Sequence, residues 1–184
     1  MLTNEEQSKV DAALAVFESQ LNKGSLTSNS HYFLNYMQLR FSFCPTEQFG
    51  VILMDKSKRI IDVSTLFYGG IANVLVDLRA LAAYVLSSTA YSFSVFHNHP
   101  GFGLRPSEED IKLTQSIVRA FDPFAIKCVD HLVVGHKVYS MASMPEFAYL
   151  FDERAGERAQ ADFLAERTRE RDEQEREQFI RENF

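Results

Sequence analysis

The stretch YSFSVFHNHPGFGLRPSEED, residues 91–110, contains the end of a strand, a loop and the start of a helix. Apolar and small polar residues alternate from Tyr91 to Phe96, which predicts a strand that ends at His97. Two prolines and two glycines between residues 100 and 106 then predict a loop. Apolar residues recur at helical spacing from Ile111 onward, so we expect a helix directly after the loop.

The segments on both sides of this unit predict a mixed α/β fold. Thr3 and Glu6 form a capping-box pattern ahead of a helix over about residues 4–23, which Gly24 ends. Further helices are predicted over 31–40 and 76–86, and further strands over 48–54, 60–67, 127–129 and 132–134. The element order α-α-β-β-α-β-α-β-β is typical of a mixed sheet flanked by helices.

Composition limits the classes of protein and the compartment. The 184 residues are 46% hydrophobic and 24% charged, which is an ordinary globular balance for about one domain. The formal net charge of −6 argues against a protein that wraps nucleic acid by charge alone. Cys44 and Cys128 are too few for a disulfide scaffold, so we predict a reducing, cytoplasmic compartment. The N-terminus has no signal-peptide pattern, and Asp77 and Arg79 interrupt the longest apolar stretch, so we expect no membrane segment.

The composition changes sharply after Met144. Residues 152–184 contain 11 acidic residues, 7 arginines and no lysine, so 18 of these 33 residues are charged. We therefore divide the chain into an N-terminal helical segment packed on the core (1–44), a central α/β domain (45–144) and a charged helical tail (145–184). The tail is either a solvated helix or frayed chain, or it is a helix that docks a partner or a second copy. Docking of a second copy would make a homo-oligomer.

Two histidines and one acid around the loop have the spacing of a metal site. His97 and His99 are alternate residues of the strand, so their side chains point the same way. The loop brings the first turn of the next helix, with Asp110, back over the end of the strand. Two imidazoles and one carboxylate with an open fourth position are a ligand set for catalytic zinc. We therefore predict one Zn²⁺ per chain, held by His97, His99 and Asp110.

Each half of this pattern has a simpler explanation when it is taken alone. Ser107-x-x-Asp110 is also an ordinary helix N-terminal cap, which needs no metal. A single His-x-His pair is common and carries little information. The prediction depends on finding the cap, the Pro/Gly turn and both histidines together at the spacing that one metal site requires.

The pattern His97-x-His99-Pro100-x6-Ser107-x2-Asp110 resembles the JAMM signature of the JAB/MPN-type zinc metalloproteases. Within that group the chain is most similar to the RadC-like branch of bacteria, phages and mobile elements. The supporting stretches outside the pattern are Asp130-His131-Leu132-Val133-Val134-Gly135 and Tyr139-Ser140. The resemblance covers about residues 45–142 and implies the fold of that group, a cytidine-deaminase-like mixed β-sheet flanked by helices.

The resemblance also implies the chemistry and two further site residues. Glu47, just before the first strand, matches the family's general base, and Ser107 matches a residue whose hydroxyl donates to the oxyanion. Zinc lowers the pKa of a bound water to about 7. The implied function is a zinc-dependent metallopeptidase or isopeptidase that hydrolyses an amide bond in a protein or peptide, with the C-terminus of a ubiquitin-like protein as one expected substrate.

An alternative function follows from the same resemblance. RadC-like chains are commonly labelled as accessory proteins of DNA repair or recombination, which would act by binding rather than by proteolysis. Full-length members carry an N-terminal helix-hairpin-helix region, whose glycine hairpin is not found in residues 1–44, so DNA binding is not favoured. The loop also departs from the family, with Gly101-Phe102-Gly103 in place of Ser-Gly. We expect Asp130 and His131 to support the site rather than to bind the metal.

Overall fold

The computed structural model of the protein describes residues 3–22, 26–28, 30–69, 75–101, 103 and 105–152. Predictions that concern Gly24, Phe102 and the tail from residue 153 lie outside these described residues. The chain divides into two compact units, Met1–Met141 and Ala142–Phe184. The described part of the second unit contains a short 3₁₀ turn, Ala148–Leu150. No helix among the described residues combines the length and the apolar character that crossing a bilayer requires.

The first unit is a mixed five-stranded sheet with helices on both faces, which confirms the predicted fold class. Its elements in chain order are α1 (Asn4–Asn22), α2 (His31–Phe41), β1 (Gln48–Met54), β2 (Ile60–Tyr68), α3 (Leu78–Leu86), β3 (Ser92–Asn98), α4 (Glu108–Phe121), β4 (Lys127–Val134) and β5 (Val138–Ser140). The strand order across the sheet is β2-β1-β3-β4-β5. Strands β3 and β4 are parallel, and α4 is the crossover that such a pair requires.

Two aromatic contacts show which helix lies on which face of the sheet. Phe93 and Phe96 are three residues apart in β3, so they point to opposite faces. The Phe96 ring packs on Phe41 of α2 with 4.6 Å between ring centroids. The Phe93 ring packs on Phe121 of α4 with 4.5 Å between centroids. His97 lies an even number of residues from Phe93, so it points toward α4.

One hydrophobic cluster lies between α2 and its face of the sheet. Burying a large apolar side chain completely contributes about 1.5–3 kcal/mol, so this cluster is a main source of stability. It lies on the face of the sheet opposite the predicted site residues, behind the end of β3. Its buried members are Leu26, Phe33, Tyr36, Met37, Phe41, Ile52, Met54, Ile60, Phe96, Leu132 and Val134.

The structure corrects the prediction for the last strands. The two short strands predicted over 127–129 and 132–134 are one continuous strand, β4, and the closing strand is β5. Asp130 and His131 interrupt the apolar pattern, which is why the sequence suggested a break. The Ser140 hydroxyl donates to Asp130 Oδ2 at 2.6 Å, and His131 is fully buried with hydrogen-bond partners on both ring nitrogens. Because these polar groups are satisfied, the strand continues through them.

Gly50 of β1 gives a direct test of this packing. A Cβ at this position would overlap the Phe96 ring and the Ser64 carbonyl oxygen, so the Gly50→Ala variant must displace the sheet or the ring. We expect the free energy of unfolding to fall by about 1–3 kcal/mol, as overpacking usually causes. Urea denaturation measures it. Gly101→Ala is the matched control, because a Cβ there meets no atom within 4 Å, and an equal loss in both variants would contradict the packing described.

Candidate metal centre

The two histidines of the predicted site lie at the carboxyl end of β3. The backbone N–H of His99 donates to the Val134 carbonyl oxygen at 2.9 Å, so pairing with β4 continues one residue past Asn98. Strand geometry therefore persists through both histidines. Their side chains lie on the same side, as predicted, with 2.8 Å between His97 Nε2 and His99 Nε2.

Asp110 joins this pair from the first turn of α4. Ser107 is the N-cap, and its Oγ accepts the Asp110 backbone N–H at 3.1 Å while Asp110 Oδ2 accepts the Ser107 N–H at 2.7 Å. The same carboxylate faces the histidines, with Oδ1 3.3 Å from His97 Nε2 and Oδ2 3.7 Å from His99 Nε2. Asp110 therefore belongs to both the capping box and the cluster. Its spacing from Ser107 fits a helix cap and a metal site at the same time.

A hydrogen bond on the side of His99 away from the cluster determines which of its ring nitrogens carries the hydrogen. His99 Nδ1 lies 3.0 Å from the Gly103 carbonyl oxygen, which can only accept, so Nδ1 carries the hydrogen. In the neutral ring Nε2 then has a lone pair, and it faces His97 Nε2 and the Asp110 carboxylate. Nitrogen and oxygen lone pairs this close repel one another unless a cation, either a proton or a metal ion, neutralises them.

The donor set and its spacing fit a zinc ion. Bonds of about 2.0–2.1 Å in tetrahedral geometry separate ligand atoms by about 3.3 Å. The three observed separations, 2.8, 3.3 and 3.7 Å, bracket that value. His97 is buried whereas His99 and Asp110 are partly exposed, so one side of the cluster is open. An N, N, O set with an open position is that of a catalytic rather than a structural zinc site.

The charges of the cluster are strongly coupled. Burial raises the pKa of Asp110, but its contacts with His97, His99 and Ser107 outweigh burial and hold that pKa well below its ordinary value. The hydrogen bond with Asp110 in turn raises the pKa of His99, against the opposing effect of burial. A proton on His99 therefore competes with a metal ion for this position.

Glu47 lies beside this cluster because of the register of β1. Phe49 pairs with His97 in antiparallel register, so Glu47, two residues earlier, is level with His99. Burial raises the pKa of the half-buried Glu47 carboxyl, Asp110 raises it further, and His97 and His99 oppose this. The structure thus places Glu47 within the electrostatic environment of the cluster, while its role as general base stays a prediction.

Asn98, which is not among the predicted site residues, ties the backbone on both sides of Glu47 to β3. Its Oδ1 accepts the Gln48 N–H at 2.7 Å, and its Nδ2 donates to the Thr46 carbonyl oxygen at 3.2 Å. The side chain is fully buried. The position of an amide between the two histidines is the sequence signal for this role. The sequence could not show its partners, because they lie 50 and 52 residues away.

Ser107 is the N-cap of α4 and contacts Asp110, whereas nothing in the structure tests its predicted oxyanion role. Its hydroxyl donates to Asp110 Oδ2 at 2.7 Å, so the proton that would stabilise an oxyanion is directed at the carboxylate. Donation to a substrate requires the hydroxyl to turn. The oxyanion role of Ser107 therefore stays a prediction.

His131 contacts His97 from behind, outside the group formed by His97, His99 and Asp110. Its Nε2 lies 2.8 Å from His97 Nδ1, and its Nδ1 lies 2.6 Å from Thr114 Oγ1. Burial lowers the pKa of His131 well below its ordinary value, so the ring is neutral. Thr114 was not singled out from the sequence, although a hydroxyl on the helix face that carries Ile117 and Phe121 is a detectable signal.

Comparison with known proteins points to one family. A family model described as the RadC-like JAB domain matches residues 27–146, which include the metal cluster and Glu47. The protein named UPF0758 of Psychromonas ingrahamii is 33% identical over 131 residues, which are 71% of this chain and 58% of that relative. The UPF0758 protein of Streptococcus thermophilus is 32% identical over 135 residues, covering 73% and 59% of the two chains. The chain thus spans less than three-fifths of the length of these relatives.

Metal content tests the cluster directly. We expect protein purified without chelator to hold about one zinc ion per chain. The double variant His97→Ala, His99→Ala should lose it, because two of the three ligand atoms are removed, while the exposed His31→Ala should retain it. Elemental analysis of the purified proteins measures this, and zinc retained by the double variant would show that the assignment is wrong.

Metal affinity should also depend on pH with a defined sign. Because Asp110 raises the pKa of His99, a proton competes with the metal from above the ordinary histidine value of about 6.5 downward. The apparent dissociation constant should therefore rise about tenfold per pH unit below the pKa of His99 and level off above it. Competition titrations with a chromophoric chelator between pH 5.5 and 8.5 measure it. An affinity that does not weaken as the pH falls would contradict the coupling.

Proposed function

Because this chain belongs to the RadC-like JAB domain family, we propose that it is a zinc-dependent hydrolase that cleaves an amide bond in a protein or peptide. The observation that carries the proposal is the convergence of His97 Nε2, His99 Nε2 and the Asp110 carboxylate at separations of 2.8 to 3.7 Å. Two imidazoles and one carboxylate leave a fourth position for water or substrate.

Each residue of the site has a separate task in this proposal. Bound Zn²⁺ would acidify water and polarise the scissile carbonyl. Glu47 accepts a proton from the attacking water and delivers it to the leaving amine nitrogen, as the new C–O bond forms and the C–N bond breaks. The raised pKa of Glu47 suits a group that both takes and returns a proton. Ser107, once turned from Asp110, donates to the carbonyl oxygen as negative charge develops there.

The edge of the sheet beside Glu47 supports a polypeptide substrate. The Gly69 N–H donates to the Glu47 carbonyl oxygen at 2.9 Å, so the carboxyl end of the edge strand β2 lies next to the proposed base. Within the described residues, the backbone hydrogen bonds of the outer edge of β2 are confined to its start, where Leu26 and Thr27 pair with it. An extended chain can add to such an edge by backbone hydrogen bonds. The C-terminal tail of a ubiquitin-like protein is a substrate of this form.

Replacing the base should separate catalysis from metal binding. We expect Glu47→Gln to keep its zinc and its fold but to lose about 10²–10⁴-fold in turnover, because the amide cannot accept the water proton. Hydrolysis is measured with a fluorogenic peptide library and with a ubiquitin-like protein joined through its C-terminus to a lysine side chain. Glu109→Gln, an exposed acid in the first turn of α4, is the matched control and should stay active.

Two results would contradict the proposal in different ways. An active Glu47→Gln variant would move the base to another acid, with Glu108 and Glu109 as the nearest in the sequence to the ligands. A zinc-loaded wild-type protein that cleaves none of these substrates but binds DNA in a salt-dependent way would favour the accessory, non-catalytic function instead.

A further inference from the structure

A buried chain of polar groups runs behind the metal cluster and connects two of its ligand residues. The Thr114 hydroxyl lies 2.6 Å from the Asp110 backbone carbonyl oxygen and 2.6 Å from His131 Nδ1. His131 Nε2 then lies 2.8 Å from His97 Nδ1. Thr114 and His131 are 0% exposed and His97 is 1% exposed, so solvent does not supply alternative partners. The position of each proton in this chain therefore follows from the chemistry of its neighbours.

The single proton of the Thr114 hydroxyl has one consistent position. The Asp110 carbonyl oxygen can only accept, so a contact of 2.6 Å requires the hydroxyl to donate to it. If the hydroxyl donated to His131 instead, two oxygen acceptors would face each other with no proton between them. The Thr114 oxygen is thus left as an acceptor, and His131 Nδ1 must carry the hydrogen of that contact.

The same reasoning extends to the metal ligand. With its hydrogen on Nδ1, the neutral His131 ring has a lone pair on Nε2, which must accept from His97 Nδ1. His97 then has its own lone pair on Nε2, the nitrogen that faces His99 and Asp110. The opposite arrangement would put a hydrogen on His97 Nε2 and block it as a ligand. His99 has no such buried partner, since the Gly103 carbonyl of the loop orients it.

We propose that Thr114 and His131 are positioning residues that hold His97 in its Nδ1–H tautomer and so keep its Nε2 available to the metal. This inference rests on the metal site of the proposed function. Because Thr114 lies one helical turn after Asp110 on the same face of α4, the chain also ties the helix that carries one ligand to the strand that carries another.

The Thr114→Val variant tests the chain with almost no change in shape. It removes the acceptor of the His131 Nδ1 hydrogen, so His131 prefers to carry its hydrogen on Nε2 and to donate to His97. The hydrogen of His97 then moves to Nε2, and metal binding must reverse both tautomers and leave a buried N–H unpaired. We expect affinity for Zn²⁺ to fall about 10- to 100-fold, as loss of a group that orients a metal ligand usually causes.

Two matched variants separate this effect from a simple loss of helix stability. Thr114→Ser retains the hydroxyl and should bind Zn²⁺ within about threefold of wild type. If any substitution at position 114 weakened the site, Thr114→Ser would also bind Zn²⁺ more weakly. Ser116→Ala removes the same kind of hydroxyl-to-carbonyl hydrogen bond, 2.9 Å to Lys112, on the exposed side of α4. It should leave Zn²⁺ affinity unchanged. Competition titrations with a chelator, together with the melting temperature of each metal-free protein, provide the comparison.

The tautomers of His97 and His131 can also be determined in the metal-free wild-type protein, without any substitution. Long-range ¹H–¹⁵N NMR spectra of the metal-free wild-type protein should show the hydrogen on Nδ1 of both His97 and His131. A His97 ring with its hydrogen on Nε2, or a Thr114→Val protein that binds Zn²⁺ as tightly as wild type, would overturn the inference and leave the proposed function standing. A wild-type chain that shows these tautomers but hydrolyses no amide would overturn the proposed function alone.

Discussion

The parallel pairing of β3 with β4 is the constraint on which the site depends. Two adjacent parallel strands cannot be joined by a tight turn, so the chain must cross over the sheet, and α4 is that crossover. The crossover begins where β3 ends, which places the first turn of α4 at the carboxyl end of the strand. His97 and His99 from the strand and Asp110 from the helix meet there as a consequence of topology. The capping box at Ser107 then sets where the helix starts and how the carboxylate points.

The neighbours of β3 supply the remaining groups in the same way. Antiparallel pairing with β1 brings Glu47 level with His99, and Asn98 holds the backbone on both sides of Glu47. Parallel pairing with β4 places His131 diagonally behind His97. Polar groups in a core are tolerated only when they are hydrogen-bonded, and among the described residues every buried side-chain nitrogen or oxygen has a partner. The buried polar groups around the end of β3 are therefore also the groups on which the proposed chemistry depends.

The sequence predicted what depends on local periodicity. Strand alternation identified His97 and His99 as neighbours, and a cap signal with helical spacing placed Asp110 in the next helix. The bounds of β1 agree with those predicted, and β2 extends one residue further, because the turn over residues 55–59 sets the boundary between the two strands. The continuity of β4 could not be seen, since it depends on partners such as Ser140 that satisfy a polar residue in mid-strand. Asn98 and Thr114 each carry a sequence signal, but their roles could not be derived from it, because the partners that define those roles belong to other elements of the fold.

The coordination shell of bound zinc tests the central claim most directly. Zinc K-edge X-ray absorption of the protein loaded with one equivalent of Zn²⁺ resolves the type and distance of the ligand atoms. We predict four nitrogen or oxygen ligands at about 2.0–2.2 Å, with the multiple scattering of two imidazoles and one position taken by solvent. A sulfur ligand at about 2.3 Å would instead implicate a cysteine, and it would contradict a site built from His97, His99 and Asp110.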